Sequence, residues 1–183
     1  MDAMYQNKLI VLHMIRKATE KHSDWVLGKK ALQKSLYFFN LKQDCFRFKW
    51  ADFGPMSGEI LQIAHDLEAA GRIKTESVKM KRPNVFIRSM RYVSKDPDLE
   101  ISPDLNHSLE ETLDFVAERS SSELELLASV HFWATRCSDG DLAEYIHRKM
   151  EELKPEAGFT RKDVEGYILL LRKHRILQDV AAV

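Results

Sequence analysis

Apolar residues recur three and four positions apart through most of this chain, which is the spacing of one face of an α-helix. Such stripes run over Tyr5–Lys21 and Lys29–Leu41, and another ends at Ala70, directly before Gly71. Glycine at that position favours a helix end in the left-handed region. Further stripes follow beyond residue 104. The chain is therefore predicted to be mostly helical.

Three segments are predicted to be strands, the first because it alternates apolar and polar residues, the period of a half-buried strand. Cys45–Trp50 places Phe46, Phe48 and Trp50 on one side. Arg72–Val78 and Asn84–Val93 flank a basic stretch, residues 79–83, that is predicted to be a hairpin tip. Strands among so many helices predict an α+β, helix-rich fold.

Polar residues mark where several helices are expected to begin. Gly54-Pro55-Met56-Ser57 predicts a turn, with the Ser57 hydroxyl accepting from the first helical amides. A hydroxyl followed three residues later by an acid predicts a capping box. Four such pairs follow: Ser108 with Glu111, Ser122 with Glu125, Ser138 with Asp141, and Thr160 with Asp163.

Charge divides the chain into two parts. The 183 residues carry no net charge. However, residues 1–97 hold 18 basic and 10 acidic side chains, and residues 98–183 hold 10 basic and 18 acidic ones. The balance changes sign at Asp96, Pro97, Asp98, Ser102 and Pro103, a composition typical of a linker. We expect a basic unit over 1–97 and an acidic, all-helical unit over 104–183.

Few functional classes are indicated by the remaining composition. Cys45 and Cys137 have no partner at metal-ligand spacing, which predicts neither a zinc site nor a disulfide framework. No apolar run approaches the roughly 18 residues of a membrane helix, and no secretory signal begins the chain. We expect the protein to be cytoplasmic and not associated with a membrane. We also expect it to bind no metal and no cofactor.

Residues 1–97 follow the order helix, helix, strand, helix, hairpin, which is that of a winged helix. In such domains the third helix commonly enters the major groove and the hairpin, or wing, contacts phosphates. Eight basic residues against Glu76 alone lie between Arg72 and Lys95. The predicted binding residues for duplex nucleic acid are Lys29, Lys30, Lys34, Arg47, Lys49, Arg72, Lys74, Lys79, Lys81, Arg82, Arg88 and Arg91.

Two observations keep other interpretations open. The third helix carries Glu59, Asp66 and Glu68, and these carboxylates would be repelled by a phosphate-lined groove. The basic hairpin is also typical of a solvated sheet edge protected from aggregation. A winged helix can equally serve as a protein-binding scaffold.

Catalytic motifs are missing from the sequence. It has no glycine-rich phosphate loop, and its 7 histidines show no repeated ligand spacing. His65 and Asp66 are adjacent on a helix and so point in different directions, and His131 beside Phe132 is typical of a partly buried histidine. The protein is predicted not to be an enzyme.

Three short motifs stand out in residues 1–97: Leu32-Gln33-Lys34 through Tyr37, Phe53-Gly54-Pro55-Met56-Ser57, and Asp66-Leu67 before Gly71-Arg72-Ile73. Together they resemble the uncharacterised YwgA-like family and, more loosely, the Panacea (SocA-like) antitoxin domain. The resemblance implies a mostly helical protein with a winged-helix-like core and no established catalytic residues. Ser35 and Met56 depart from the family's usual apolar and aromatic residues.

The function predicted from these features is binding without catalysis. Nucleic-acid-linked regulation is the leading hypothesis, and antitoxin-like neutralisation of a protein partner is the alternative. Six acids lie between Glu110 and Glu125, and they would suit a basic protein, a second copy in a homodimer, or solvent alone.

Overall fold

The computed structural model describes residues 3–22, 25–82, 85–94, 101–138, 140–155 and 158–177, with the backbone alone described for 79–82 and 85–89. The described residues form helices α1 (Ala3–Lys21), α2 (Lys29–Gln43), α3 (Gly58–Ala69), α4 (Pro103–Val116), α5 (Ser121–Ala134), α6 (Leu142–Leu153) and α7 (Arg161–Lys173). Their strands are β1 (Lys49–Ala51), β2 (Gly54–Met56), β3 (Ile73–Arg82) and β4 (Val85–Ser94). The protein is α+β and helix-rich, as predicted.

The strands form two separate pairs. β1 pairs with β2, and β3 pairs with β4 in an antiparallel register from Ile73 opposite Ser94 to Arg82 opposite Val85. The prediction that Lys79–Arg82 form a turn is therefore wrong. Cross-strand pairing continues through them, and Pro83 and Asn84 lie outside the described residues.

The predicted strand Cys45–Trp50 is mostly not a strand. Its alternating burial is present, with Phe46 buried and Arg47 exposed, but ladder pairing begins only at Lys49. The Asn40 side chain takes the place of a neighbouring strand. It accepts from the Phe46 amide at 2.6 Å and donates to the Phe46 carbonyl at 2.9 Å. These bonds satisfy the backbone without a sheet.

A second amide on α2 holds the start of α3. Gln33 Nε2 donates to the Ser57 carbonyl at 2.9 Å, and the Ser57 amide donates to Gln33 Oε1 at 3.0 Å. Ser57 is 2% exposed and its hydroxyl makes no cap bond to α3, so the predicted hydroxyl cap is wrong. The motif residues Gln33 and Ser57 thus fix the backbone together.

The other helix boundaries follow the local capping chemistry. Thr160 and Asp163 form the predicted capping box, and Gly71 has the predicted positive φ, 70°. The boxes at Ser108, Ser122 and Ser138 are wrong. Ser102 caps α4, Ser120 with Glu123 caps α5, and Asp141 caps α6. In each case a nearby polar residue lies at the true helix start.

The chain separates into two compact units. The first comprises Met1–Lys49 with Met56–Leu124, and the second comprises Trp50–Pro55 with Glu125–Val183. The first unit thus includes α4, which the sequence boundary between 97 and 104 assigned to the second. The reason is that α4 packs against α1 and α2 and buries Leu109 and Leu113. Of the linker, residues 95–100 lie outside the described part.

Each unit has its own core. In the first unit residues 31–39 of α2 are all buried, together with the apolar face of α1. In the second unit Trp50 packs on Phe132 and Trp133, with ring centroids 5.7 and 5.1 Å apart. None of the helices in the described part of the chain has both the length and the apolar character needed to cross a bilayer.

Candidate nucleic-acid interface

The start of α2 lies directly against strand β4. The Tyr92 amide donates to the Leu27 carbonyl at 3.0 Å. At Gly28 the approach is so close that a Cβ would lie 2.7 Å from the Met90 carbonyl oxygen, so only glycine fits without displacing backbone. Two segments that the sequence predicts to bind nucleic acid are therefore adjacent: the first turn of α2 and the hairpin.

The first turn of α2 is cationic and has no side-chain cap. Gly28 occupies the N-cap position, no acid lies in the first turn, and Lys29 and Lys30 are its first two residues. The first amides of a helix lack intrahelical partners and carry partial positive charge. Lysines there add to that charge, so this helix end favours an anion such as a phosphate. Lys29 is exposed and Lys30 is half-buried.

The hairpin cations do not share one face. Successive residues of a strand alternate between faces, and opposite residues of a ladder share one. By this register Lys79, Lys81 and Arg88 belong to the face of Tyr92. Lys74, Arg82 and Arg91 belong to the other face. Basic residues therefore occupy register positions of both faces, and the side chains of residues 79–89 lie outside the described part.

Glu76 engages two of the predicted binding residues. Lys74 pairs with its carboxylate, and Arg91, its cross-strand neighbour, approaches to 3.4 Å. Hydrogen bonding from Lys74, followed by that from Arg91, lowers the pKa of Glu76. These two cations must exchange a protein carboxylate for a phosphate if they bind nucleic acid.

Lys34 is a wrong prediction. Its exposed fraction is 0%, since it lies within the continuously buried stretch of α2. A phosphate cannot reach it. Arg47 and Lys49 are exposed and Arg72 is half-buried. In the described part of the chain, no carboxylate forms an ion pair with Lys29, Arg47 or Lys49.

Helix α3 presents an unsuitable surface to a major groove. Its exposed residues include Glu59, Leu61, Gln62, His65 and Glu68. The carboxylates of this face would lose free energy near phosphates. The acidic character of α3 is thus the same in the structure as in the sequence. The start of α2 and the hairpin form the cationic surface instead.

The acidic residues of α4 are already partly neutralised. Glu110 accepts from Lys17 at 2.7 Å and lies 3.0 Å from Lys21, and these bonds, Lys17 first, lower its pKa to about 2. Glu111 pairs with Lys42 at 2.6 Å. The opposite charges of the two sequence halves therefore meet within the first unit, which reduces the surface available to a basic partner.

No family model matches this chain, and no curated protein matches it. The resemblance to the YwgA-like family and the Panacea domain therefore stays a prediction. The structure assigns backbone-holding contacts to Gln33 and Ser57 of the shared motifs.

A cleft of about 470 Å³ in the first unit was not predicted from the sequence. It lies where α1 and α4 end, and Lys21, His22, Trp25 and Arg119 line it. Two of its lining residues are engaged: the Trp25 indole donates to the Arg119 carbonyl at 3.2 Å, and the Arg119 guanidinium stacks on Phe115 at 4.1 Å. These contacts join the segments that follow α1 and α4, so we assign them a structural role.

His65 and His131 are the two histidines with sequence neighbours relevant to catalysis. His65 is exposed with its Nδ1 3.8 Å from Asp66, whereas His131 is buried. Within the described residues, no three His, Cys, Asp or Glu side chains cluster so that they could hold a metal.

Proposed function

We propose that this protein binds duplex nucleic acid through its basic face, defined as the first turn of α2 together with the β3–β4 hairpin. It acts as a cytoplasmic, nucleic-acid-linked regulator and performs no catalysis. One observation carries the proposal: the contacts of Leu27 with Tyr92 and of Gly28 with Met90 bring Lys29 and Lys30 beside the basic hairpin.

The chemistry of the basic face suits phosphates rather than base edges. Phosphate contacts supply affinity and orientation without sequence information. The acidic exposed face of α3 opposes insertion of that helix into the major groove. Binding is therefore expected to depend strongly on salt and weakly on sequence.

Charge reversal at the start of α2 tests this proposal. The double variant Lys29→Glu, Lys30→Glu is expected to bind a mixed-sequence duplex at least about tenfold more weakly at low salt, because two phosphate contacts are lost. The log–log salt slope should flatten by about 0.9 for each contact removed. Fluorescence anisotropy of a labelled duplex, titrated at several salt concentrations, measures both quantities.

A matched control carries the same change in charge elsewhere. Arg148 and Lys162 are exposed residues of the second unit, and the variant Arg148→Glu, Lys162→Glu should retain most of the wild-type affinity and its slope. The triple variant Lys79→Glu, Lys81→Glu, Arg82→Glu tests the hairpin in the same way. Equal weakening by the control, or no duplex binding by the wild type at low salt, contradicts the proposal.

The exposed face of α3 favours a second function, antitoxin-like neutralisation of a protein partner. Leu61 and Glu68 lie two turns apart on the same exposed side of α3, a combination that suits a basic protein that also presents an apolar side chain. A toxin-like protein encoded beside this one would be the partner to test. Growth rescue on co-expression, with no duplex binding, would favour this function over the first.

A further inference from the structure

An apolar groove in the second unit separates the start of α6 from α7. It has a volume of about 360 Å³. Leu142, Ile168 and Leu169 supply its apolar lining, and Asp141, Glu165 and Arg172 supply its polar rim. Leu169 is 64% exposed, which is unusual for leucine and leaves an apolar side chain at the edge of an apolar groove.

The exposed face of α7 has an ordered charge pattern around Leu169. Glu165 lies one turn before Leu169, and Arg172 and Lys173 lie one turn after it, all of them exposed. Gly166, between Glu165 and Leu169, has open space where a Cβ would stand. A small residue there permits close approach of another helix.

This pattern is complementary to itself when the helix direction is reversed. If a two-fold axis passes beside Leu169, position 165 of one helix faces position 173 of the other. Position 166 then faces position 172. Glu165 would thus meet the partner copy's lysine, and the glycine would make room for the arginine side chain. A same-direction pairing would instead place like charges together.

We propose that this face of α7 binds a second copy of the chain in an antiparallel, two-fold arrangement. Leu169 of each copy enters the groove beside Leu142 and Ile168 of the other. An isologous contact of this kind fills the groove of each copy, and its two-fold symmetry limits the assembly to a dimer. A basic partner protein fits less well, because the rim is acidic at one end and basic at the other.

Replacement of the central leucine gives the first test. Leu169→Glu should raise the dimer dissociation constant at least about tenfold, because it places two carboxylates at the two-fold axis. Leu153→Glu is the matched control, since Leu153 is 43% exposed on α6 and lies outside the groove. Sedimentation equilibrium across a wide range of protein concentrations measures the constant, and circular dichroism checks the fold.

A charge exchange gives the second test. Glu165→Lys alone and Lys173→Glu alone should each weaken the dimer, and the double variant should recover most of the loss. Glu165 also pairs with Arg161 at 3.1 Å within its own helix, and that pair is lost in both variants that change Glu165. Recovery therefore reports the contact between copies. A wild type that is monomeric at every concentration, a dimer unchanged by Leu169→Glu, or a double variant no better than the single ones overturns the proposal.

Discussion

Lowering the pH from 7 to 4 is expected to decrease the free energy of unfolding by about 3 kcal/mol for each of two buried histidines. His13, in α1, is 1% exposed, and neither ring nitrogen has a hydrogen-bond partner among the described residues. Burial, followed by the nearby charges of Arg16 and Lys17, lowers its pKa from 6.5 to about 4. Protonation would place an unpaired charge in the core of the first unit.

His131 makes the same contribution in the second unit. It is 5% exposed, and burial lowers its pKa to about 4 despite a hydrogen bond to the Ile176 backbone that acts in the opposite direction. Between pH 6.5 and 4 the unfolded chain binds a proton at each histidine and the folded chain does not. The part of the folding free energy that depends on neutral His13 and His131 is therefore fully present above pH 6.5. It is lost as the pH falls from 6.5 to 4.

Urea unfolding at several pH values between 7 and 4 measures this loss. His13→Leu removes the titrating group without leaving a polar atom unsatisfied, and it should remove the part of the pH dependence that His13 contributes. The dependence that belongs to His131 should remain in that variant. A wild type equally stable at pH 7 and 4, or a variant with unchanged pH dependence, contradicts the assignment.

Gln33→Ala is expected to decrease the free energy of unfolding by about 2 to 4 kcal/mol. The substitution removes both hydrogen bonds to Ser57 and leaves a buried amide and a buried carbonyl without partners. Gln62→Ala is the control, because the Gln62 side chain is exposed and, among the described residues, bonds to Asp66 one turn away. That variant should differ from the wild type by less than about 0.5 kcal/mol.

Chemical denaturation at neutral pH compares the two glutamine variants. A loss in Gln33→Ala no larger than in Gln62→Ala would show that water satisfies the Ser57 backbone after the substitution. The contact would then be incidental to the fold. Because both residues belong to the motifs that resemble the YwgA-like family, the experiment also tells whether those motifs are needed for stability.

The helices could be predicted from the sequence because their evidence is local. Apolar spacing places α1, α2 and α3 within about two residues of their observed bounds, and the Thr160–Asp163 box places the start of α7. The segment at Cys45–Trp50 could not be predicted in the same way. Its alternation is compatible with a strand, but the Asn40 side chain holds Phe46, a contact that only the folded chain creates.

The start of α4 and its packing show the same difference between local signals and contacts that only the folded chain creates. Two equivalent hydroxyl residues, Ser102 and Ser108, could each have begun this helix. Ser102 begins it because Pro103 suits the first helical position. The ion pairs of α4 with Lys17 and Lys42 join residues more than 60 positions apart, which local patterns do not reveal.

The exposure of the candidate binding residues could be predicted only in part. Lys29, Arg47 and Lys49 are exposed as a binding surface requires, whereas Lys34 shares their charge and is buried. Charge alone cannot distinguish an exposed lysine from a buried one, because the long apolar stem of lysine can pack in a core. The contact between Gly28 and Met90, which joins α2 to the hairpin, has no signal in the sequence.

We expect nucleic acid to bind the start of α2 and the hairpin rather than α3. Amide chemical-shift mapping tests it most directly, with a short mixed-sequence duplex titrated into the uniformly ¹⁵N-labelled protein at low salt. The largest shifts should fall on Lys29, Lys30 and the strand segments 73–78 and 90–94. Shifts concentrated on Gly58–Ala69, or no shifts at all, would contradict it.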